Sequence, residues 1–230
     1  MNKIITILFI SFLTPIIHAS IPSPGKNPEA LWERIKNKRG VEVFKKEIPG
    51  QKVVAFRGEM VIDGSVEKIF HILLDNSKRK EWADRLEESV VLEQKSPHEY
   101  VLYQNFFLPW PLKNREFVYK GNAYIERKNN NVVLHMESID DHPNLPTDRK
   151  TAVRAELKNS YYYLSKLGEN QTRLVVEIHS DPKGHIPSWV VNLVQSSWPV
   201  KTLNGIKDQL KSLDPEKEYK LPDLPISTTL

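Results

Sequence analysis

The chain has 230 residues, 40% of them hydrophobic and 27% charged, which is enough for one domain with a sizeable core. Its formal net charge is only +4, too weak a balance for a nucleic-acid binder that needs a dense cationic face. The absence of cysteine excludes a disulfide framework, a thiol nucleophile, a zinc-thiolate site and lipoprotein acylation.

Met1-Asn2-Lys3 and the apolar run 4–17, interrupted by Pro15 and ending near His18-Ala19-Ser20, have the pattern of a secretory signal peptide over residues 1–20. The run is too short to span a bilayer comfortably. The expectation is an exported protein, periplasmic if the source is Gram-negative and otherwise secreted. Residues 21–30 read as a linker rich in proline. The spacing of Leu31, Trp32 and Ile35 predicts a short helix over 28–38. Strands over 41–48 and 53–62, joined by Pro49-Gly50, predict a hairpin whose second strand carries Val54, Phe56, Met60 and Ile62 on one face around Gly58. Ser65 is a suitable N-cap for an amphipathic helix over 66–74, with Glu67 favourable in its first turn. A second short helix is expected over 76–83, with Trp82 as a core residue.

From Glu88 onward strand follows strand, over 90–93, 99–107, 116–126, 132–137, 151–164 and 173–180. The breaks between them are rich in Pro, Gly, Asn and Asp, so a meandering antiparallel sheet is predicted. In the last strand Leu174, Val176 and Ile178 share one face. Pro187 then suits the first turn of a long helix over 187–210, whose apolar side includes Trp189, Val190, Leu193, Leu203 and Ile206. Pro199 predicts a kink between Ser196 and Val200. Beyond Leu213 a polar, proline-dotted tail over 214–230 is expected to be mobile.

Familiar catalytic constellations are missing: no Gly-x-Ser-x-Gly elbow, no His-Glu-x-x-His helix and no phosphate-cradling glycine loop. The histidines are scattered, and Asp140-Asp141-His142 reads as a solvated turn rather than a metal site. No catalytic residue, metal or cofactor is predicted.

Two motifs carry a resemblance. Asp181-Pro-Lys-Gly-His-Ile-Pro-Ser-Trp189, between the last strand and the helix, and Arg115-Glu-Phe-Val118, with Glu116 where Asp is usual, resemble the steroidogenic-acute-regulatory-related lipid-transfer (START) family. The likeness covers residues 31–213. It implies an α+β helix-grip fold, a curved antiparallel sheet of about eight or nine strands wrapped around the long C-terminal helix. It also implies an internal tunnel that binds and transfers a lipid or other bulky apolar molecule, with transient contact to a membrane surface. Ligand contacts are then expected from Tyr103, Phe107, Trp110, Arg115, Phe117, Tyr119, Tyr161, Tyr163, Trp189, Leu193 and Trp198. Arg115 has two readings, an anchor for an anionic headgroup or the partner of a nearby carboxylate. Trp110, in Leu108-Pro-Trp-Pro-Leu112, also has two: packing onto the helix or touching a bilayer at the tunnel mouth. The alternatives to lipid transfer are a helix-grip enzyme of cyclase or hydrolase type and a protein-interaction module with a filled pocket. Protein partners are left open.

Overall fold

The computed structural model describes residues 32–48, 54–147 and 151–227, and in the last helix the side chains at 188, 189 and 191–195 fall outside that description. The expectations for the signal peptide at 1–20, the linker at 21–30, the first part of the 28–38 helix and the turn at 49–50 lie outside the described residues. The strands are β1 (Glu33–Lys38), β2 (Val41–Glu47), β3 (Val54–Ile62), β4 (Leu86–Ser96), β5 (Glu99–Phe106) and β6 (Arg115–Glu126). They continue with β7 (Asn131–Ser138), β8 (Val153–Arg154), β9 (Glu156–Gly168), β10 (Gln171–Asp181) and β11 (Ile226–Ser227). The helices are α1 (Val66–Leu74), α2 (Arg79–Trp82) and α3 (Ser188–Gln209).

Nine of these strands run in the order β1-β2-β3-β10-β9-β7-β6-β5-β4, all neighbours antiparallel, with β8 and β11 added in parallel to β6. The curved sheet holds α3 on its inner side, where Val200, Leu203 and Ile206 join Val41, Met60, Ile62 and Val176 in one core. The α+β helix-grip reading is therefore correct. Between β3 and β4 the chain crosses to the far edge of the sheet through α1 and α2. Ser65 caps α1 as expected, its hydroxyl accepting from the Lys68 N–H at 3.4 Å.

Three expectations are corrected. Residues 33–38 form a strand rather than the end of a helix. Arg39 and Gly40 both take positive φ, 54° and 77°, the backbone of a tight hairpin turn, and β1 folds back onto β2 with Arg34–Glu42 and Lys45–Glu33 ion pairs across it. Pairing with β2 overrides a helical spacing that had only one turn of apolar residues to support it. The tail beyond Leu213 is not loose. The Tyr219 ring lies 4.9 Å from that of His71 on α1, Leu221 and Leu224 pack against the core, and β11 pairs with Ile125 and Glu126. The third concerns which aromatic residues face inward, taken up with the site below.

α3 runs through Pro199 without ending there. At the proline helix and sheet meet closely: a Cβ at Gly58 of β3 would lie 2.5 Å from the Pro199 Cβ and 3.2 Å from Leu203 Cδ1. Only a residue without a side chain admits that crossing. Gly58→Ala should therefore lower stability by about 1–3 kcal/mol through overpacking. Urea unfolding measures it, and a loss below about 0.5 kcal/mol would show that α3 can shift freely on the sheet.

Candidate functional site

Between the sheet and α3, toward the end where β5, β6 and β10 give way to loops, an apolar cavity of about 180 Å³ remains open. Strand register decides which side chains reach it. Directly opposed residues share a face, so Leu102 and Tyr119, Gln104 and Phe117, and Phe106 and Arg115 all point inward from β5 and β6. Tyr103 opposes Val118 and points outward. It is fully buried there in a separate small cluster with Leu92, Val101 and Val118, under Ile139 and Leu145, and its hydroxyl donates to Glu116 at 3.2 Å. On β9, Tyr162 lines the cavity, while Tyr161 and Tyr163 stand on the outer face, stacked at 5.4 Å.

Of the predicted contacts, Phe107, Arg115, Phe117, Tyr119 and Trp198 line the cavity. Tyr103, Tyr161 and Tyr163 do not, because period-two alternation separates two faces without saying which is inside. Trp110 is 90% exposed in the loop beside the mouth, so it is not packed down on the helix. The side chains of Trp189 and Leu193 lie outside the described residues. Sequence reasoning missed Tyr162, Phe56, Met136, Leu157 and Ile178, all of which line the cavity, and it gave Trp82 only a core role. The signal for Tyr162 was its step of two from Leu164, which is fully buried.

The charged groups at the cavity were the least legible. Arg115, 5% exposed, donates Nε–H to Pro182 O at 2.6 Å, Nη1–H to Lys113 O at 2.5 Å and Nη2–H to Lys183 O at 3.2 Å. The reading as the partner of a carboxylate does not hold, since among the described residues its guanidinium meets backbone carbonyls and no carboxylate. It clamps the start of β6 to the loop that leads into α3. Burial lowers its pKa from the ordinary arginine value.

Arg79 differs. It is 4% exposed at the start of α2, its guanidinium lies 5.4 Å from the Trp82 ring centre, and its Nη2 donates to Leu73 O at the end of α1. Among the described residues its Nε–H has no hydrogen-bond partner, and neither has the Trp82 indole N–H. Among the described residues no carboxylate pairs with Arg79. Around this charge stand the hydroxyls of Tyr100, Tyr119 and Tyr162, whose pKa values burial drives up and the Arg79 charge draws back down. They remain neutral. The Tyr119 hydroxyl donates to Gln104 Oε1 at 3.0 Å, and the Gln104 amide donates to Ser89 Oγ at 3.1 Å, which holds that wall in place. Asp84, nearby, is engaged by Lys201 Nζ at 3.1 Å, and Arg85 Nε sits 3.6 Å from its other oxygen, too far for a hydrogen bond.

The cavity thus offers a largely apolar sleeve whose wall holds three unmet N–H donors among the described residues, on Arg79, Trp82 and Arg85, the Arg79 guanidinium having a single backbone carbonyl as its hydrogen-bond partner. Such donors are suited to an oxyanion and to nothing apolar. Among the described residues no group of three or more His, Asp or Glu is placed to hold a metal ion. The His142 ring at the Asp140-Asp141 turn faces Glu93, 3.4 Å away.

Comparison with known proteins agrees with this architecture. An uncharacterized protein of Pseudomonas aeruginosa is 25% identical over 176 residues, 76% of this chain and 85% of that one. Bovine phosphatidylcholine transfer protein is 22% identical over 186 residues, covering 80% of this chain and 83% of its own. Among solved structures, the StAR-related lipid transfer protein of Xanthomonas axonopodis superposes with a TM-score of 0.68 at 24% identity, over 79% of this chain and 99% of that one. Human StAR-related lipid transfer protein 5 does so with a TM-score of 0.70 at 17% identity, over 80% and 88%. The START domain model matches residues 25–216, and this chain belongs to the START domain family.

Proposed function

We propose that the protein binds a lipid with an anionic headgroup, a phosphate or a carboxylate, and carries it between membranes. The observation that supports this most directly is Arg79, a buried cation with an unmet N–H donor in a largely apolar cavity. A buried charge without a counter-ion is costly, and a ligand that supplies one gains both the ion pair and the hydrogen bonds. The acyl part would sit among Phe106, Phe117, Met136 and Leu157, where each buried methylene contributes roughly 0.8 kcal/mol. The cavity of about 180 Å³ is below the roughly 300–1,000 Å³ usual for small-molecule sites, so loading requires the mouth loops and the first turn of α3 to part. The phosphatidylcholine transfer activity in the bovine relative's name supports lipid carriage as the general task. A leader at residues 1–20 would place that traffic outside the cytoplasm.

The test is to extract the purified full chain with organic solvent and identify what is released by mass spectrometry, then to follow transfer of the same lipid between vesicles. A phosphate- or carboxylate-bearing lipid at near one per protein supports the reading. Conversion of the lipid into another product, or an interior that stays empty in the presence of lipid, defeats it.

Contact with the bilayer belongs to the same reading. Trp110, 90% exposed, and Phe107, 43% exposed, project beside the mouth, and a Trp at the headgroup level would bring the opening to the membrane without the ligand crossing water. Trp110→Ser should keep ligand capacity and weaken vesicle attachment by about tenfold, the worth of one large apolar side chain, with transfer slowed in proportion. Unchanged attachment and transfer in a folded variant would move the contact elsewhere.

A further inference from the structure

A second groove lies on the outer face, across the sheet from the cavity. Strand register places Asn122, His135, Tyr161 and Glu177 side by side across β6, β7, β9 and β10, with Tyr124, Val133 and Tyr163 in the adjacent row. The His135 and Tyr161 rings stack at 4.7 Å. Opposite them, Pro225, Ile226 and Ser227 of the packed tail form a wall, leaving a space of about 500 Å³. That size falls within the range of small-molecule sites, roughly 300–1,000 Å³. The wall lies beyond the family match, which ends at residue 216.

Carboxylates frame the rings. Glu126 lies two residues beyond Tyr124 on the same face of β6, Glu137 two beyond His135 on β7, and Glu177 opposes Tyr161. Glu177 is held by Arg57 at 2.6 Å and Glu137 by Lys120 at 3.5 Å. Glu126 is different: it accepts only from the amides of Asn129 and Asn131, and among the described residues no cation pairs with it. Burial first, and then the neighbouring tyrosines and these carboxylates, raise the pKa values of Tyr124, Tyr161 and Tyr163, so the rings stay neutral and electron-rich.

We propose that this groove binds an organic ammonium ion, attracted by the rings of Tyr124, His135 and Tyr161, balanced by the Glu126 carboxylate and flanked by the apolar wall of Pro225 and Ile226. Aromatic rings attract cations through their quadrupole, and a nearby uncompensated carboxylate adds to that attraction while repelling phosphate and carboxylate ligands. A neutral sugar could use the rings but would gain nothing from the charge. The face is thus selective for the opposite charge to the one the cavity favours.

The experiment is a titration of the full chain with tetramethylammonium chloride against equal sodium chloride, read on the tyrosine ring signals by NMR. Saturable shifts at Tyr124 and Tyr161 are expected. Glu126→Gln should weaken binding by roughly three- to tenfold, and Tyr124→Leu, a second variant in case the first unfolds, by a similar factor. Arg79→Met should leave it unchanged. Absence of saturable shifts, shifts confined to the cavity residues Tyr119 and Tyr162, equal affinity in folded Glu126→Gln and Tyr124→Leu variants, or binding of neutral sugars but not of the ammonium would each overturn the proposal. Failure here leaves the lipid reading intact, because the two sites are on opposite faces of the sheet.

Discussion

Replacing Arg115 by methionine should cost the ligand-free protein about 3–6 kcal/mol, the worth of its two shortest charge-assisted hydrogen bonds at roughly 1.5–3 kcal/mol each, while the methionine stem keeps the packing. The side chain joins four carbonyls, those of Lys113, Asn114, Pro182 and Lys183, which belong to two segments far apart in sequence. Its removal leaves buried acceptors without a donor and frees the loop that leads into α3. Urea unfolding with lipid removed beforehand is the measurement. A loss of less than about 1 kcal/mol, accompanied by loss of lipid retention, would instead make Arg115 a headgroup anchor.

Arg79→Met should behave in the opposite way. Removing this guanidinium relieves a buried, uncompensated charge but leaves the Leu73 carbonyl at the end of α1 without its donor. The first effect stabilises by about 1–4 kcal/mol and the second costs about 1–3, so ligand-free stability should change little. Retention of a phosphate- or carboxylate-bearing lipid should fall at least tenfold, about 1.4 kcal/mol or more, while a neutral lipid such as a diacylglycerol is held as before. Equal losses for neutral and anionic lipids would sink the assignment, since they would mean that Arg79 shapes the cavity rather than pairs with the ligand. The two arginines, both buried at the same cavity, are thus separable: one variant unfolds more readily and the other loses its ligand.

Much of the fold was legible in order. The alternation of Leu174, Val176 and Ile178, the capping of α1 by Ser65 and the start of α3 after Pro187 are local matters of periodicity and backbone chemistry, and the structure has each of them where the chain predicts it. Two segments misled. Residues 33–38 have helical spacing but pair with β2, and 214–227 has the composition of a loose tail but carries Tyr219, Leu221 and Leu224 onto the domain. In each case a few apolar residues find a partner distant in sequence, which local pattern does not register.

By itself the amino-acid sequence determined most of the elements and their order, because turns, caps and period-two alternation depend on neighbours along the chain, and the 115–118 and 181–189 motifs carried the resemblance to the fold family. It also determined that aromatic residues would be concentrated on β5, β6 and β9. Only the tertiary structure decided which of them meet the cavity. A strand has two faces of equal standing until its register against the next strand and the crossing of a helix close one of them in, and that closure turns Tyr119 and Tyr162 inward and Tyr103, Tyr161 and Tyr163 outward. The same holds for the charges. Lys113-Asn-Arg115 and Arg79-Lys-Glu-Trp82 look alike as basic segments beside apolar ones, and only the carbonyls that surround the first arginine, and the N–H left unmet among the described residues at the second, distinguish a clamp from a binding group.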